Sequence, residues 1–88
     1  LNKGNVVENN TVQALINKYS REDVMNIVTS ADITELIAES GLKLESRENK
    51  SFDVQFNDRN KLQHLYARIL LENLNIITPS GEYYVKGY

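Results

Sequence analysis

The stretch that decides the fold is DRNKLQHLYARILLENL, residues 58–74. Its apolar side chains recur every three or four residues, which places them on one face of an α-helix. Asn57 or Asp58 supplies a side-chain cap for the first backbone amides. The sequence therefore predicts one long amphipathic helix here, and Leu71 widens its apolar stripe. That stripe comprises Leu62, Leu65, Tyr66, Ile69, Leu70 and Leu74.

The same spacing recurs upstream and predicts three short helices. The first covers residues 11–19, and the second opens at Ser20, where two carboxylates follow in the first turn. The third opens at Asp32, with Glu35 in the capping-box position, and ends at Gly41, which adopts positive φ without strain. The apolar face of the second helix comprises Val24, Ile27 and Val28.

Two other segments alternate polar and apolar residues, which predicts half-buried strands. Residues 42–45 and residues 52–56 show this alternation on either side of a polar link, so we expect them to form a hairpin. A second hairpin is expected over residues 76–86, where Pro79 and Gly81 suit a type I turn. N-terminal short helices, a hairpin, a long helix and a C-terminal hairpin together predict an α+β fold.

The chain has 88 residues, which is the size of one domain. Residues 11–88 are expected to form a single α+β domain. Residues 1–10 are polar and rich in Asn, and we expect either a flexible segment or a vector-derived remnant. The sequence contains no Cys, which excludes a disulfide scaffold, a Cys-based zinc site and a cysteine nucleophile.

The charge balance favours a protein partner over nucleic acid. The formal net charge is −2, whereas a general nucleic-acid binder is expected to be basic. Residues 1–45 carry 4 basic and 7 acidic side chains, and residues 46–88 carry 6 and 5. No apolar run approaches the roughly 18 residues that span a bilayer, and no signal-peptide pattern is present. We therefore expect a cytoplasmic protein without membrane insertion.

No set of residues in the sequence predicts catalysis. His64 is the only histidine, so no second His or Cys is present to complete a metal site with it. No nucleophile motif accompanies it either. The four glycines are scattered, which excludes a phosphate-binding loop. We expect a protein that is not an enzyme and that uses neither a metal nor a cofactor.

A protein-binding surface is predicted from acidic and apolar residues. Asp32, Glu35 and Glu39 share one face of the third helix, which fits either capping with a solvated face or a docking surface for a basic partner. Leu71 and Tyr84 add apolar area for a partner or for self-association.

The alternative is a DNA-binding regulator. Residues 57–86 resemble the recognition helix and wing of the winged-helix family, with residues 58–74 as the helix and 76–86 as the wing. The sequence departs from the winged-helix pattern upstream of residue 57, because a predicted hairpin separates this helix from the preceding one. The candidate nucleic-acid contacts are Arg59, Lys61, Gln63, His64 and Arg68, with Lys86 on the wing.

Residues 11–45, TVQALINKYSREDVMNIVTSADITELIAESGLKLE, resemble the small cytoplasmic rapid-lysis-inhibition proteins of T4-like bacteriophages. The chain's usage of Asn, Lys and Ile is also typical of the AT-rich genomes of such phages. The resemblance implies an accessory antiholin in the host cytoplasm, which binds the cytoplasmic part of a membrane holin and delays lysis. The leading hypothesis is thus a small regulatory protein that acts by protein–protein binding.

Overall fold

The computed structural model describes residues 5–6, 11–78 and 81–85. Over these residues the chain combines helices with one sheet, so the predicted α+β class is confirmed. The elements are β1 (Asn5–Val6), α1 (Thr11–Tyr19), β2 (Val24–Thr29), α2 (Thr34–Glu39), β3 (Lys43–Glu48), β4 (Ser51–Gln55), α3 (Arg59–Leu71), β5 (Ile76–Ile77) and β6 (Tyr83–Val85).

The strands form a six-stranded sheet in the order β1-β6-β5-β2-β4-β3. β1 pairs with β6 in parallel, and each of the other neighbouring pairs is antiparallel. The helices pack on one face of this sheet and enclose a single apolar core with it. We call the opposite face, which carries Val24, Asn26 and Asp53, the open face.

The predicted second helix is wrong, because its apolar residues lie in the central strand β2. Burial alternates along this strand: Met25 and Ile27 are buried, whereas Asn26 and Val28 are half-buried. Pairing on both sides, with β4 and β5, stabilises the extended backbone of this strand, which is rich in β-branched residues. Strand pairing in the sheet therefore outweighs the helical spacing of the local sequence.

The predicted helix cap at Ser20 is replaced by a tight turn that leads into β2. Arg21 and Val24 exchange two backbone hydrogen bonds of 2.8 Å, in each of which the N–H of one residue donates to the carbonyl of the other. Glu22 lies between them with φ 52, in the left-handed region. The carboxylates of this turn consequently do not face a helix N-terminus.

Helix α2 begins one residue later than the sequence predicts, because its N-cap position is Ile33 and not Asp32. Ile33 occupies the N-cap position and makes no side-chain cap hydrogen bond, so the predicted capping box of Asp32 and Glu35 does not form. Asp32 instead accepts from the Thr34 amide at 2.9 Å and from the Thr34 hydroxyl at 2.6 Å. Gly41 follows the helix at φ 76, as its predicted role requires.

Helix α3 covers Arg59–Leu71 and supplies the largest share of the core. The side chain of Asp58 accepts from the Asn60 amide at 2.9 Å and caps its first turn. At the other end, Asn73 adopts φ 62 and the Leu74 amide donates to the Ile69 carbonyl at 3.1 Å, which closes the last turn. The buried side chains of α3 are Leu62, Leu65, Tyr66, Ile69 and Leu70.

Only parts of the two ends of the chain, for which the sequence makes further predictions, lie within the described residues. Within the segment 1–10, Asn5–Val6 forms β1, and the remaining residues lie outside the described ones. Pro79 of the predicted type I turn and Lys86 also lie outside them. β5 is hydrogen-bonded to both β2 and β6, so this part of the chain lies within the sheet.

Removing the cap of α3 tests how much its first turn contributes. Asp58→Ala is expected to lower the free energy of unfolding by about 1 kcal/mol, because the Asn60 amide loses its acceptor. Urea denaturation followed by circular dichroism measures the change. Glu45→Ala, at an exposed position of β3, is the control and is expected to change stability by less than about 0.5 kcal/mol.

Candidate functional site

A cleft of about 600 Å³ lies where the start of α2, the strand β3 and the end of α3 meet. We call it the acidic cleft. Its apolar part is formed by Leu36 and Leu74, both half-buried and packed against the core. The polar lining residues are Asp32, Thr34, Glu35, Arg47 and Glu72.

Arg47 is held at one end of the acidic cleft by several contacts. Its Nη1 lies 3.0 Å from Oδ2 of Asp32, and its Nε donates to the Asn49 carbonyl at 2.9 Å. The guanidinium also lies over the ring of Phe52, 5.1 Å from the ring centroid. A planar cation stacked on an aromatic ring and paired with a carboxylate is a well-ordered arrangement. The cleft thus already contains one bound guanidinium.

The ionisation of Asp32 fits this arrangement. Hydrogen bonds from the hydroxyl and the amide of Thr34, together with the positive charge of Arg47, lower the pKa of Asp32 below its ordinary value. The carboxylate is therefore negatively charged throughout the neutral range.

Two further carboxylates of the acidic cleft have no cationic partner. Among the described residues the ion pairs are Arg47–Asp32 and Arg68–Glu39, so neither Glu35 nor Glu72 has a cation within 4.0 Å. The lining consequently carries three carboxylates and one guanidinium. Such a surface suits a ligand that brings both positive charge and apolar area.

The structure brings only part of the predicted protein-binding set together. Asp32 and Glu35 both line the acidic cleft, whereas Glu39 lies outside the lining and pairs with Arg68 at 2.9 Å. Leu71 is 59% exposed on the outer side of α3. Tyr84 is half-buried and packs against the core instead of forming a free surface.

Sequence reasoning missed Arg47, Glu72, Leu36 and Leu74 as neighbours of Asp32 and Glu35. Leu36 follows Glu35 in α2, Arg47 lies in β3, and Glu72 and Leu74 both follow α3. No local spacing links these three parts of the chain. Arg47 gives no such signal, because the sequence places it in the polar link between the two predicted strands.

The candidate nucleic-acid residues do not form one free surface. Arg59 donates to the Asn17 side chain of α1, Lys61 lies beside Gly41, and Arg68 pairs with Glu39. Their distribution follows from the position of α3 between α1 and α2. Of the remaining residues, Gln63 lines a small cleft with α1, His64 is exposed, and Lys86 lies outside the described residues.

The structure contains the departure from the winged-helix pattern that the sequence predicts. The hairpin of β3 and β4 separates α2 from α3, so no helix-turn-helix is formed. The strands β5 and β6 extend the main sheet, because β5 pairs with β2 and β6 pairs with β1.

Comparisons with protein-family models, with curated proteins and with solved structures find no match to this chain. Within the described residues, no three side chains of His, Cys, Asp or Glu are grouped so that they can hold a metal ion. The helices of the same residues all lack the length and hydropathy needed to cross a bilayer.

The open face carries a hydrogen-bonded polar network. The Asn26 amide donates to Oδ1 of Asp53 at 2.7 Å and to the Ser51 hydroxyl at 2.9 Å, and the Ser46 hydroxyl donates to Oδ2 of Asp53 at 2.8 Å. The hydrogen bonds from Asn26 and Ser46 lower the pKa of Asp53 below its ordinary value of 3.8. This network links the three strands β2, β3 and β4.

The network makes stability depend on pH. Because the folded-state pKa of Asp53 lies below its unfolded value of 3.8, the contribution is complete above pH 3.8 and is lost as pH falls through the folded-state pKa. We expect the melting temperature of the wild type to fall more between pH 6 and pH 2.5 than that of Asp53→Asn. Thermal denaturation of both proteins across this range measures the difference, and parallel curves would contradict the assignment.

Proposed function

We propose that this chain is a small regulatory protein, without catalytic activity, that binds a cationic amphipathic segment of another protein in the acidic cleft. The observation that carries the proposal is the combination of Leu36 and Leu74 with the unpaired carboxylates of Glu35 and Glu72. Apolar contacts supply affinity, and the surrounding charge selects the partner and its orientation.

The bound guanidinium of Arg47 supports the chemistry of this partner. Asp32 and Thr34 already bind a cation of the chain itself, through a 3.0 Å ion pair and a 3.5 Å contact with the Thr34 hydroxyl. Glu35 and Glu72 extend the same negative surface and remain available to Lys or Arg side chains from outside. A partner with an apolar side chain flanked by basic residues matches this pattern.

The resemblance of residues 11–45 to the rapid-lysis-inhibition proteins supports a more specific proposal. This stretch contains Asp32, Glu35 and Leu36, which are three of the residues that line the acidic cleft. We therefore name the cytoplasmic part of a phage holin as the partner. The protein acts in the host cytoplasm and delays lysis by occupying that part of the holin.

Charge reversal in the acidic cleft tests the proposal. The double variant Glu35→Lys/Glu72→Lys is expected to weaken binding of the purified cytoplasmic segment of a T4-like holin at least tenfold, because attraction becomes repulsion. A tenfold loss corresponds to about 1.4 kcal/mol. Isothermal titration calorimetry measures the affinity, and the onset of lysis in cells that co-express the holin measures the effect. The variant is expected to abolish the delay.

Two controls separate the cleft from the partner. Glu45→Lys changes charge at an exposed position of β3 outside the cleft lining, and its affinity is expected to match that of the wild type. An equal loss in Glu45→Lys would contradict the role of the cleft. A synthetic Leu/Lys amphipathic peptide serves as a second probe: if it binds the wild type in a cleft-dependent way and the holin segment does not bind, the holin is rejected as partner.

A further inference from the structure

A second cleft, of about 360 Å³, lies at the opposite ends of α2 and α3 from the acidic cleft. Its charged side chains come from different elements: Lys43 begins β3, Lys61 lies in the first part of α3, and Asp23 precedes β2. We call it the lysine cleft. Leu42 and Phe56 form its apolar walls.

Lys61 lies beside a glycine in this cleft. Lys61 is half-buried, and its side chain runs past the backbone of Gly41, where a Cβ atom would lie in ordinary contact, 3.8 Å from Cδ, Cε and Nζ of the lysine. Lys43 approaches from the sheet, in register with Gln55 of β4.

Neither lysine of this cleft is neutralised. Within the described part of the chain, no carboxylate lies within 4.0 Å of either ammonium, since the ion pairs there involve Arg47 and Arg68. The one carboxylate in the cleft, that of Asp23, instead accepts from Nε2 of Gln55 at 3.2 Å. The lining of the cleft therefore carries two lysines and one carboxylate, which is a net positive charge.

We infer that the lysine cleft binds a phosphate monoester dianion. Two ammonium groups match its charge of about −2, and Lys acts as a point charge suited to a tetrahedral phosphate rather than as a planar fork for a carboxylate. The side-chain amide of Asn57 lines the same cleft and offers a further donor. The volume of about 360 Å³ accommodates a small phosphorylated molecule or a single phosphorylated side chain.

Titration of the full chain by two-dimensional ¹H–¹⁵N NMR tests this inference. Inorganic phosphate at pH 7.5, at constant ionic strength, is expected to cause saturable shifts at Gly41, Lys43 and Lys61. Sodium chloride or acetate at the same ionic strength is expected to cause much smaller shifts. Phosphate shifts that do not saturate, or that acetate reproduces, would overturn the inference.

Substitutions assign the shifts to the two lysines. Lys43→Met and Lys61→Met each keep the apolar stem and remove the charge, and each is expected to weaken phosphate binding at least tenfold. Lys50→Met, at the exposed tip of the β3–β4 hairpin, is the matched control and is expected to bind like the wild type. Equal weakening by all three variants would show a general charge effect and overturn the site. Lys43 is exposed, so its variant keeps the test valid if Lys61→Met fails to fold.

The source of the phosphate is distinguished by two further probes. O-phosphoserine represents a free small molecule, and a short peptide with one central phosphoserine represents a modified partner protein. Tighter binding of the peptide assigns the cleft to a phosphorylated partner, and tighter binding of phosphoserine assigns it to a metabolite. Binding of the unphosphorylated peptide with equal affinity would overturn the inference, because the dianion would then contribute nothing.

Discussion

The packing of α3 on the inner face of the sheet is the contact on which the rest of the structure depends. Leu62, Leu65 and Ile69 are fully buried in one cluster with Phe52 and Val54 of β4. Each such side chain contributes on the order of 1.5–3 kcal/mol when it leaves water. Because α1 and α2 both pack against α3, this contact also determines the shape of each cleft.

How far the sequence predicts this protein depends on whether a pattern is local. The buried stripe of α3 and the alternation in β4 are predictable because their periods belong to single elements. The strand β2 is not predictable in this way. Val24, Ile27 and Val28 show the spacing of a helix face, although Val24 and Val28 lie on the open face and Ile27 is buried on the other. The acidic cleft cannot be predicted from local sequence patterns, since it joins residues up to about 40 positions apart.

The net charge of −2 conceals two surfaces of opposite sign. The start of α2 meets the end of α3 at the acidic cleft, and the end of α2 meets the start of α3 at the lysine cleft. The ion pair between Glu39 and Arg68 joins the two helices between these ends. A small domain can in this way present two chemically distinct surfaces on one helix pair.

The last strand of the sheet, β3, has a consequence for how copies of this chain meet. A bare sheet edge offers its free backbone groups to any extended strand, and this is a common start of polymerisation. Here the register of β3 is interrupted between Leu44 and Ser46, and charged side chains occupy most of its length. This irregular, charged edge is a poor template for a further strand. At this edge, copies of the chain therefore have little tendency to pair strand to strand.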